Sequence, residues 1–168
     1  GMRRLAVVGL PCHVHSIRKL QMAGKVKKLA NSIQFVIGLF CGGNWTYKAT
    51  EHVIDELCGF DLDEVAKVEY RAGESPGNFT ATAKDGRVVA FPSPTRRNHT
   101  WGLRHDRCAV CFDYSNDLAD ISVGDYFHPE MVRGVPGWSA FIIRTDKGKE
   151  LVESAQAAGY VTTEPIEK

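Results

Sequence analysis

One unit occurs twice near the start of the sequence and constrains the fold more than any other feature. In each copy a short apolar run leads directly into a cysteine and then into a helical pattern; the runs are residues 5–10 and 33–40, and the cysteines are Cys12 and Cys41. Apolar runs of this length are typical of strands buried on both faces. Strands that alternate with helices favour a parallel sheet with right-handed crossovers. We therefore predict an α/β fold with a mixed, largely parallel sheet flanked by helices.

Helical spacing of apolar residues predicts the helices themselves. They are expected over residues 12–23, 25–30, 46–58 and 147–158. Gly24 and Gly59 follow two of these patterns directly, which is where a left-handed C-terminal cap is favoured. These two helices are therefore expected to end at a glycine.

The middle of the chain changes to a period of two, which predicts an antiparallel hairpin insertion. The alternating runs and their turn are residues 65–71, 79–83, 84–86 and 87–91. Residues 92–107 contain two prolines and several Arg and His side chains, and they predict a long irregular segment of the kind that often serves a site. Strands are expected again over residues 120–126 and 139–144.

Size and charge exclude several classes of protein. The chain has 168 residues and a formal net charge of +1, and no long basic stripe runs along it, which argues against nucleic acid as a partner. Its apolar runs are shorter than the ~20 residues of a membrane helix, so no membrane span is expected.

A chain of this size predicts a single domain over residues 2–168. Gly1, in front of Met2, is interpreted as the remnant of a cleaved tag.

The five cysteines are the main chemical signal. An odd number without a secretion signal indicates reduced thiols and a cytoplasmic protein. Cys12 and Cys41 follow the carboxyl ends of parallel strands, where the loops of such a sheet meet, and Cys108 and Cys111 form a Cys-x-x-Cys knuckle. Cys58 lies on the apolar stripe of a helix and is predicted to be core. We expect the other four to converge on one metal centre.

Four thiolates suit either zinc or an iron–sulfur cluster. A structural zinc ribbon normally uses two knuckles, whereas this chain has one knuckle and two distant single cysteines, which favours the cluster. Two alternatives stay open at this point. One is a zinc- or thiol-containing binding domain without catalysis, and the other is that Cys12 and Cys41 each fill space at a strand end.

Six segments occur in an order and spacing that are specific as a set. They are Gly9-Leu-Pro-Cys-His13, Arg18-Lys-Leu20, Ile37-Gly-Leu-Phe-Cys41, Glu69-Tyr-Arg71, Cys108-x-x-Cys-x-Asp113 and Ala119-Asp-Ile-Ser-Val-Gly-Asp125. With these segments the sequence resembles the beta subunit family of coenzyme F420-reducing hydrogenases and formate dehydrogenases, which also includes 7-hydroxymethyl chlorophyll reductase. The resemblance spans nearly the whole chain and matches the carboxy-terminal domain of that family.

The resemblance implies an oxidoreductase with FAD beside a 4Fe-4S cluster, and coenzyme F420, a deazaflavin, or a related small molecule that exchanges a hydride with the flavin. A flavin can join a carrier of electron pairs to a carrier of single electrons. By position, the cluster ligands would be Cys12, Cys41, Cys108 and Cys111. Other subunits or domains of a redox complex are the implied partners, and no catalytic residue is assigned. Leu10 departs from the family pattern, which has a small hydroxyl residue there in many relatives.

Further residues are predicted to contact the cofactor, namely Pro11, His13, Gly42, Gly43, Asn44, Arg71 and Asp125. The two glycines allow close approach of a flat or phosphorylated ligand, and Asn44 is a candidate cap of the next helix. Arg71, Arg96 and Arg97 are candidates to bind a phosphate or carboxylate tail, although a charge run is more often a solvated face. Asp113 is expected to order the turn after the knuckle.

Overall fold

The structure, a computed structural model, describes residues 4–24, 26–74, 77–126 and 138–166. The chain forms two compact units, each with a sheet of its own. The first unit comprises residues 4–42, 112–126 and 139–166, and the second comprises residues 43–111 and Trp138. The single domain expected over residues 2–168 stays a prediction, and Gly1 lies outside the described residues.

Seven strands and six α-helices form within these residues. The strands are β1 (Leu5–Gly9), β2 (Ile33–Leu39), β3 (Val65–Ala72), β4 (Asn78–Ala83), β5 (Val88–Pro92), β6 (Ile121–Tyr126) and β7 (Trp138–Ile143). The helices are α1 (Pro11–Ala23), α2 (Lys27–Ser32), α3 (Tyr47–His52), α4 (Ser93–His99), α5 (Asp106–Ala109) and α6 (Asp146–Ala157). No helix among the described residues has both the length and the apolar character needed to cross a bilayer.

The first unit is built on a sheet with the strand order β1–β2–β6–β7. β1 pairs in parallel with β2, and β2 pairs in parallel with β6. Helices α1 and α2 connect β1 to β2, as a parallel connection requires. The core of this unit joins α1 to the sheet, and its buried residues are Val14, Ile33, Val36 and Ala119.

β1 is less buried than its sequence predicts. Leu5 is 36% exposed and Val8 is 60% exposed, whereas Val36 of β2 is fully buried. The reason is position, because β1 lies at the edge of the sheet and β2 lies inside it. The prediction that both strands are buried on both faces is therefore wrong for β1. An apolar run predicts a strand but does not distinguish an edge from an inner position.

The second unit contains an antiparallel sheet in the order β3–β4–β5. Gly86 closes the turn between β4 and β5 with a φ of 92°, a conformation that glycine adopts without strain. Phe79 of β4 is fully buried and packs with Val53, Ile54 and the other core residues of this unit. This antiparallel sheet, together with the parallel pairs β1–β2 and β2–β6 and the helices of the first unit, confirms the predicted fold class.

Two local predictions differ from the structure. The helix expected over residues 46–58 begins one residue later as α3 and continues as a π-helical segment, Val53–Cys58, that ends at Gly59 with a φ of 65°. Residues 92–107 are not irregular throughout, because they contain α4, the 3₁₀ turn Trp101–Leu103 and the start of α5. Short helices of this kind carry too few apolar positions to show a helical period in the sequence.

Candidate cysteine and cofactor site

The first two cysteines occupy equivalent positions beyond neighbouring strands. Gly9 of β1 pairs with Gly38 of β2 in parallel register, and Cys12 and Cys41 each stand three residues beyond these partners. Parallel strands end at the same edge of their sheet. The two cysteines therefore belong to one edge of the first unit, as the repeated strand–cysteine pattern predicts.

Cys12 lies in the first turn of α1. Pro11 occupies the first helical position, where its fixed φ suits the helix and its missing N–H is not needed. Leu10 is the N-cap and has no side-chain acceptor, so the amide of Cys12 receives no cap. An uncapped helix start offers N–H groups and a positive dipole end to a thiolate. The ring of His13 folds back, and its Nδ1 accepts a hydrogen bond of 3.3 Å from the N–H of Leu10.

A single turn, residues 113–117, ties the ends of both strands together. The side-chain amide of Asn116 donates to the carbonyls of Gly9 and Leu39, at 2.9 and 3.3 Å. The N–H of Cys41 donates to the carbonyl of Tyr114 at 3.0 Å. The 113–117 turn thus fixes the backbone of Gly9, three residues before Cys12, and the backbone of Cys41 itself.

Asp113 orders this turn, as predicted. Its Oδ1 accepts hydrogen bonds from the N–H groups of Asn116 and Asp117, at 2.7 and 3.2 Å. Its Oδ2 lies 2.8 Å from Nε2 of His15, which belongs to the same helix as Cys12 and stands three residues after it. The carboxylate therefore connects the segment after the knuckle to the helix that carries the first cysteine.

Asn116 has a structural role that no local sequence pattern predicts. Its side chain is fully buried, and its φ of 61° is the one positive value of a non-glycine residue in the part of the chain described. Asparagine is among the few residues that tolerate this conformation, and its amide can bond the nearby backbone. The run of Asp, Ser and Asn after the knuckle indicates a turn, but nothing local reveals that it bonds two distant strand ends.

In the second unit, Cys108 lies in the short helix α5. Its Sγ accepts a hydrogen bond from the N–H of Asn44 at 3.4 Å. Gly43 has a φ of 128°, and a Cβ there would lie 3.2 Å from the Arg104 side chain and 3.8 Å from Cβ of Cys108. Asn44 is not the helix cap that the sequence suggests, because Thr46 occupies the N-cap of α3. Its role is to hydrogen-bond a sulfur with its backbone.

The accessibility of the five cysteines separates them into two groups. Cys12, Cys41 and Cys108 are partly accessible and Cys111 is exposed, whereas Cys58 is 8% exposed within the core of the second unit. Burial raises the pKa of the Cys58 thiol, which keeps it protonated. The prediction that Cys58 is core is confirmed.

The donor set of the other four suits a metal–sulfur centre. None of these four thiols is in a disulfide, and a sulfur that accepts a backbone N–H has the hydrogen bond that tunes cluster potentials. Two of the four belong to each unit. No group of three or more His, Cys, Asp or Glu side chains gathers at metal-ligand spacing among the described residues. The convergence of all four therefore stays a prediction.

The other predicted cofactor residues lie in both units. A Cβ on Gly42 would meet the ring of Tyr114 at 3.6 Å. Tyr114 is 57% exposed, so flat aromatic surface is available beside this glycine, which suits a flavin ring. Asp125 is exposed near the end of β6, and Arg71 is exposed on β3. Their contact with a cofactor stays a prediction.

Comparison with known proteins decides the family. The family model that describes the C terminus of the coenzyme F420 hydrogenase/dehydrogenase beta subunit matches residues 2–168. This chain belongs to that family. Among curated relatives, it is 31% identical over 169 residues to a coenzyme F420 hydrogenase subunit beta of Methanosarcina barkeri. It is 30% identical over 181 residues to a coenzyme F420-dependent sulfite reductase of Methanocaldococcus jannaschii, 26% of whose length it covers.

The family match extends to a solved structure. A chain of the F420-reducing NiFe hydrogenase complex from Methanosarcina barkeri, a xenon derivative, matches with a TM-score of 0.63 and 30% identity. The match covers 93% of this chain and 49% of that one, and the hydrogenase subunit beta of the same organism is covered to 53%. The chain thus spans about half the length of these family members.

Proposed function

We propose that this chain is part of a flavin- and iron–sulfur-dependent oxidoreductase that transfers electrons between a 4Fe-4S cluster, FAD and coenzyme F420 or a related small molecule. The two relatives described above are named for F420 chemistry. The observation that carries the proposal is the equivalent register of Cys12 and Cys41 beyond paired glycines of adjacent parallel strands. A pair of thiols placed in this way by the backbone is suited to share one metal centre.

In this proposal the cluster ligands are Cys12, Cys41, Cys108 and Cys111. The uncapped start of α1 and the N–H of Asn44 offer hydrogen bonds and positive potential to the sulfur atoms. Such groups favour thiolates and tune the potential of a cluster. The 113–117 turn holds the strand ends that precede the first pair, which limits their rearrangement.

FAD, when bound, would pass electrons singly to the cluster and in pairs to the small molecule. The residues proposed to contact it or the substrate are Pro11, His13, Gly42, Gly43, Asn44, Arg71 and Asp125. Gly42 leaves room beside the exposed ring of Tyr114. His13 carries a ring near the start of α1, where its Nδ1 already accepts a hydrogen bond. No residue is assigned as catalytic.

Other subunits or domains of a redox complex are the proposed partners. The relatives from Methanosarcina barkeri are a hydrogenase subunit and a chain of a hydrogenase complex. A cluster is a one-electron relay, so besides FAD it requires a further redox centre within electron-transfer reach. The partner would supply that centre.

Anaerobic reconstitution with iron and sulfide, followed by iron, sulfide, zinc and flavin assays, tests the proposal. We expect close to four iron atoms per chain in the wild type, as a 4Fe-4S cluster requires. Cys12→Ser and Cys108→Ser should each lose the cluster, because sulfur is the ligand that such clusters use. Cys58→Ala is the matched control, since Cys58 is buried in the core of the second unit, and it should load normally. Stoichiometric zinc without sulfide, or full iron in Cys12→Ser, would contradict the assignment.

The substrate is tested separately on the flavin-loaded protein. Addition of reduced coenzyme F420 without oxygen should bleach the flavin absorbance, because a hydride passes to FAD. NADH serves as the control donor. If the cluster loads but only NADH bleaches the flavin, the redox role stands and the F420 assignment is wrong.

A further inference from the structure

Arg96 lies between two aromatic rings in the second unit. Its guanidinium carbon is 5.3 Å from the ring centroid of Trp45 and 5.4 Å from that of Tyr70. Both rings are fixed, since Nε1 of Trp45 donates to the carbonyl of Thr100 and the hydroxyl of Tyr70 shares a hydrogen bond with Thr50. Ring contacts stabilise the cation but satisfy none of its five N–H donors in the plane of the group.

The backbone that carries Arg96 is anchored on both sides. The Ser93 hydroxyl donates to the carbonyl of Tyr70 at 2.7 Å, which ties the start of α4 to β3. The N–H and hydroxyl of Thr100 both donate to the carbonyl of Arg96, at 3.1 and 2.9 Å. The guanidinium therefore projects from a fixed backbone into a fixed pair of rings, which lowers the entropy cost of binding a ligand.

Arg96 has no acceptor in the part of the chain described. Its Nε is buried without a hydrogen-bond partner, and no ion pair joins its guanidinium to a carboxylate. Burial lowers the pKa of Arg96; Tyr70 raises that pKa, and the positive charges of Arg71 and Arg97 lower it further. A partly desolvated guanidinium whose Nε has no acceptor is stabilised when an anion joins it.

Arg87 shows what a ring-stacked arginine of the same unit does when its role is structural. Its guanidinium lies 4.9 Å from the ring centroid of Phe60. It also donates to Asp85 at 2.6 Å and to Glu64 at 2.7 Å. Within the described residues, the fold thus supplies carboxylates for Arg87 and none for Arg96.

We infer that Arg96, with Arg71 and Arg97 beside it, binds a phosphate group of a small-molecule ligand. A single carboxylate has two oxygens and one negative charge, which is enough to pair with one guanidinium. A phosphate has at least two free oxygens and can carry more negative charge than a carboxylate, so it is better suited to three neighbouring arginines. The site deepens the redox proposal, which already places Arg71 among the residues that contact FAD or the substrate. Only the identity of the ligand as a phosphate-bearing coenzyme rests on the proposed function.

Titration of the cofactor-free chain with inorganic pyrophosphate at constant ionic strength tests the site. Calorimetry gives the Kd, and the indole N–H signal of Trp45 in an NMR spectrum reports binding beside the ring. We expect Arg96→Ala to raise the Kd about tenfold or more, which is the effect of losing a charged hydrogen-bond donor. Arg87→Ala is the matched control, and its Kd should stay within about twofold of the wild type.

Three further arms make each outcome decisive. Arg96→Lys keeps the positive charge and the aliphatic part of the side chain. It should still raise the Kd for pyrophosphate, because lysine lacks the planar guanidinium that donates two parallel hydrogen bonds. This variant tests the site if Arg96→Ala does not fold. Cys12→Ser should bind pyrophosphate normally, which separates this site from the proposed cluster. Equal weakening in Arg87→Ala, or glutarate binding as tightly as pyrophosphate with the same dependence on Arg96, would overturn the phosphate site.

Discussion

Asp120 keeps a negative charge in the interior of the first unit. Its side chain is 2% exposed, yet it accepts hydrogen bonds from the N–H of Val36 at 2.8 Å and from the Thr145 hydroxyl at 3.0 Å. Arg18 and Lys147 lie 3.1 and 3.6 Å from its oxygens. Burial alone raises the pKa of Asp120, but these donors and cations outweigh burial and hold the pKa below its ordinary value. The carboxylate therefore stabilises the folded chain.

Replacing this carboxylate should weaken the fold in a pH-dependent way. Asp120→Asn should lower the free energy of unfolding by about 2–4 kcal/mol at neutral pH, because it leaves Arg18 without its buried partner. A depressed folded pKa contributes stability above the unfolded value, about 4, and the contribution is lost as the pH falls through the folded pKa. Urea unfolding at several pH values should therefore show wild type and variant converging only below about pH 4.

The matched control for this prediction is Asp117→Asn. Asp117 also pairs with an arginine, Arg144, at 2.8 Å, but its side chain is 66% exposed. An exposed pair contributes about 0–1 kcal/mol. A loss in Asp117→Asn as large as that in Asp120→Asn, or a gap for Asp120→Asn that does not change with pH, would show that the buried charge is not the cause.

Single residues are predictable where their role is local. The place of Cys58 on an apolar stripe predicts a core position, and the residue type of Asp113 predicts a turn; both predictions are confirmed. Asn116 acts through residues far away in the sequence, and Arg96 is distinguished by the acceptors that the described residues do not offer it. Distant hydrogen-bond partners and missing acceptors do not produce a local sequence pattern, so the sequence alone does not reveal the roles of Asn116 and Arg96.

At the scale of elements, one glycine of β2, Gly38, sets how closely β2 and the 113–117 turn approach. A Cβ on Gly38 would overlap Cγ of Asn116, and the buried amide has no room to relieve the overlap. Gly38 is also the register partner of Gly9, whose carbonyl accepts a hydrogen bond from Asn116. Because Gly38 has no side chain, the Asn116 amide can hydrogen-bond the ends of both β1 and β2.

Gly38→Ala should therefore displace Asn116. We expect a loss of about 2–4 kcal/mol in the free energy of unfolding, from an overpacked core and a broken buried hydrogen bond. If Cys12 and Cys41 are cluster ligands, iron loading should fall as well. Gly102→Ala is the control, because a Cβ there meets no atom within 4 Å and Gly102 has no positive φ. Thermal melts and iron assays on both variants check the prediction, and unchanged values for Gly38→Ala would contradict it.

The predicted and observed helices and strands differ in features that the sequence pattern does not encode. Run length and residue type place the strands to within a residue or two at most ends, because burial imposes them directly. The edge position of β1 depends on which strand lacks a neighbour, and the π-helical turn at Val53–Cys58 depends on packing against the core. Both are consequences of tertiary structure, which a periodicity of apolar residues does not encode.

For the whole molecule, the fold class follows from the alternation of strands and helices, and the division into two units does not. Each unit has its own buried cluster, one around Val36 and one around Phe79. Most of the second unit, residues 43–111, is inserted between residues 42 and 112 of the first. Apolar residues occur throughout the sequence, so composition does not tell which of two cores a residue joins.

Separate cores predict separate local stability, which hydrogen exchange can measure. Phe79→Ala removes a fully buried ring stacked on Phe91 and should cost about 3–5 kcal/mol. Because its neighbours lie within the second unit, amide protection should fall in β3, β4 and β5 and persist in β1, β2 and β6. Val36→Ala, in the other core, should give the reverse pattern. A uniform loss of protection across all strands in both variants would mean that the two cores unfold as one, and the single domain predicted over residues 2–168 would then describe the folding unit.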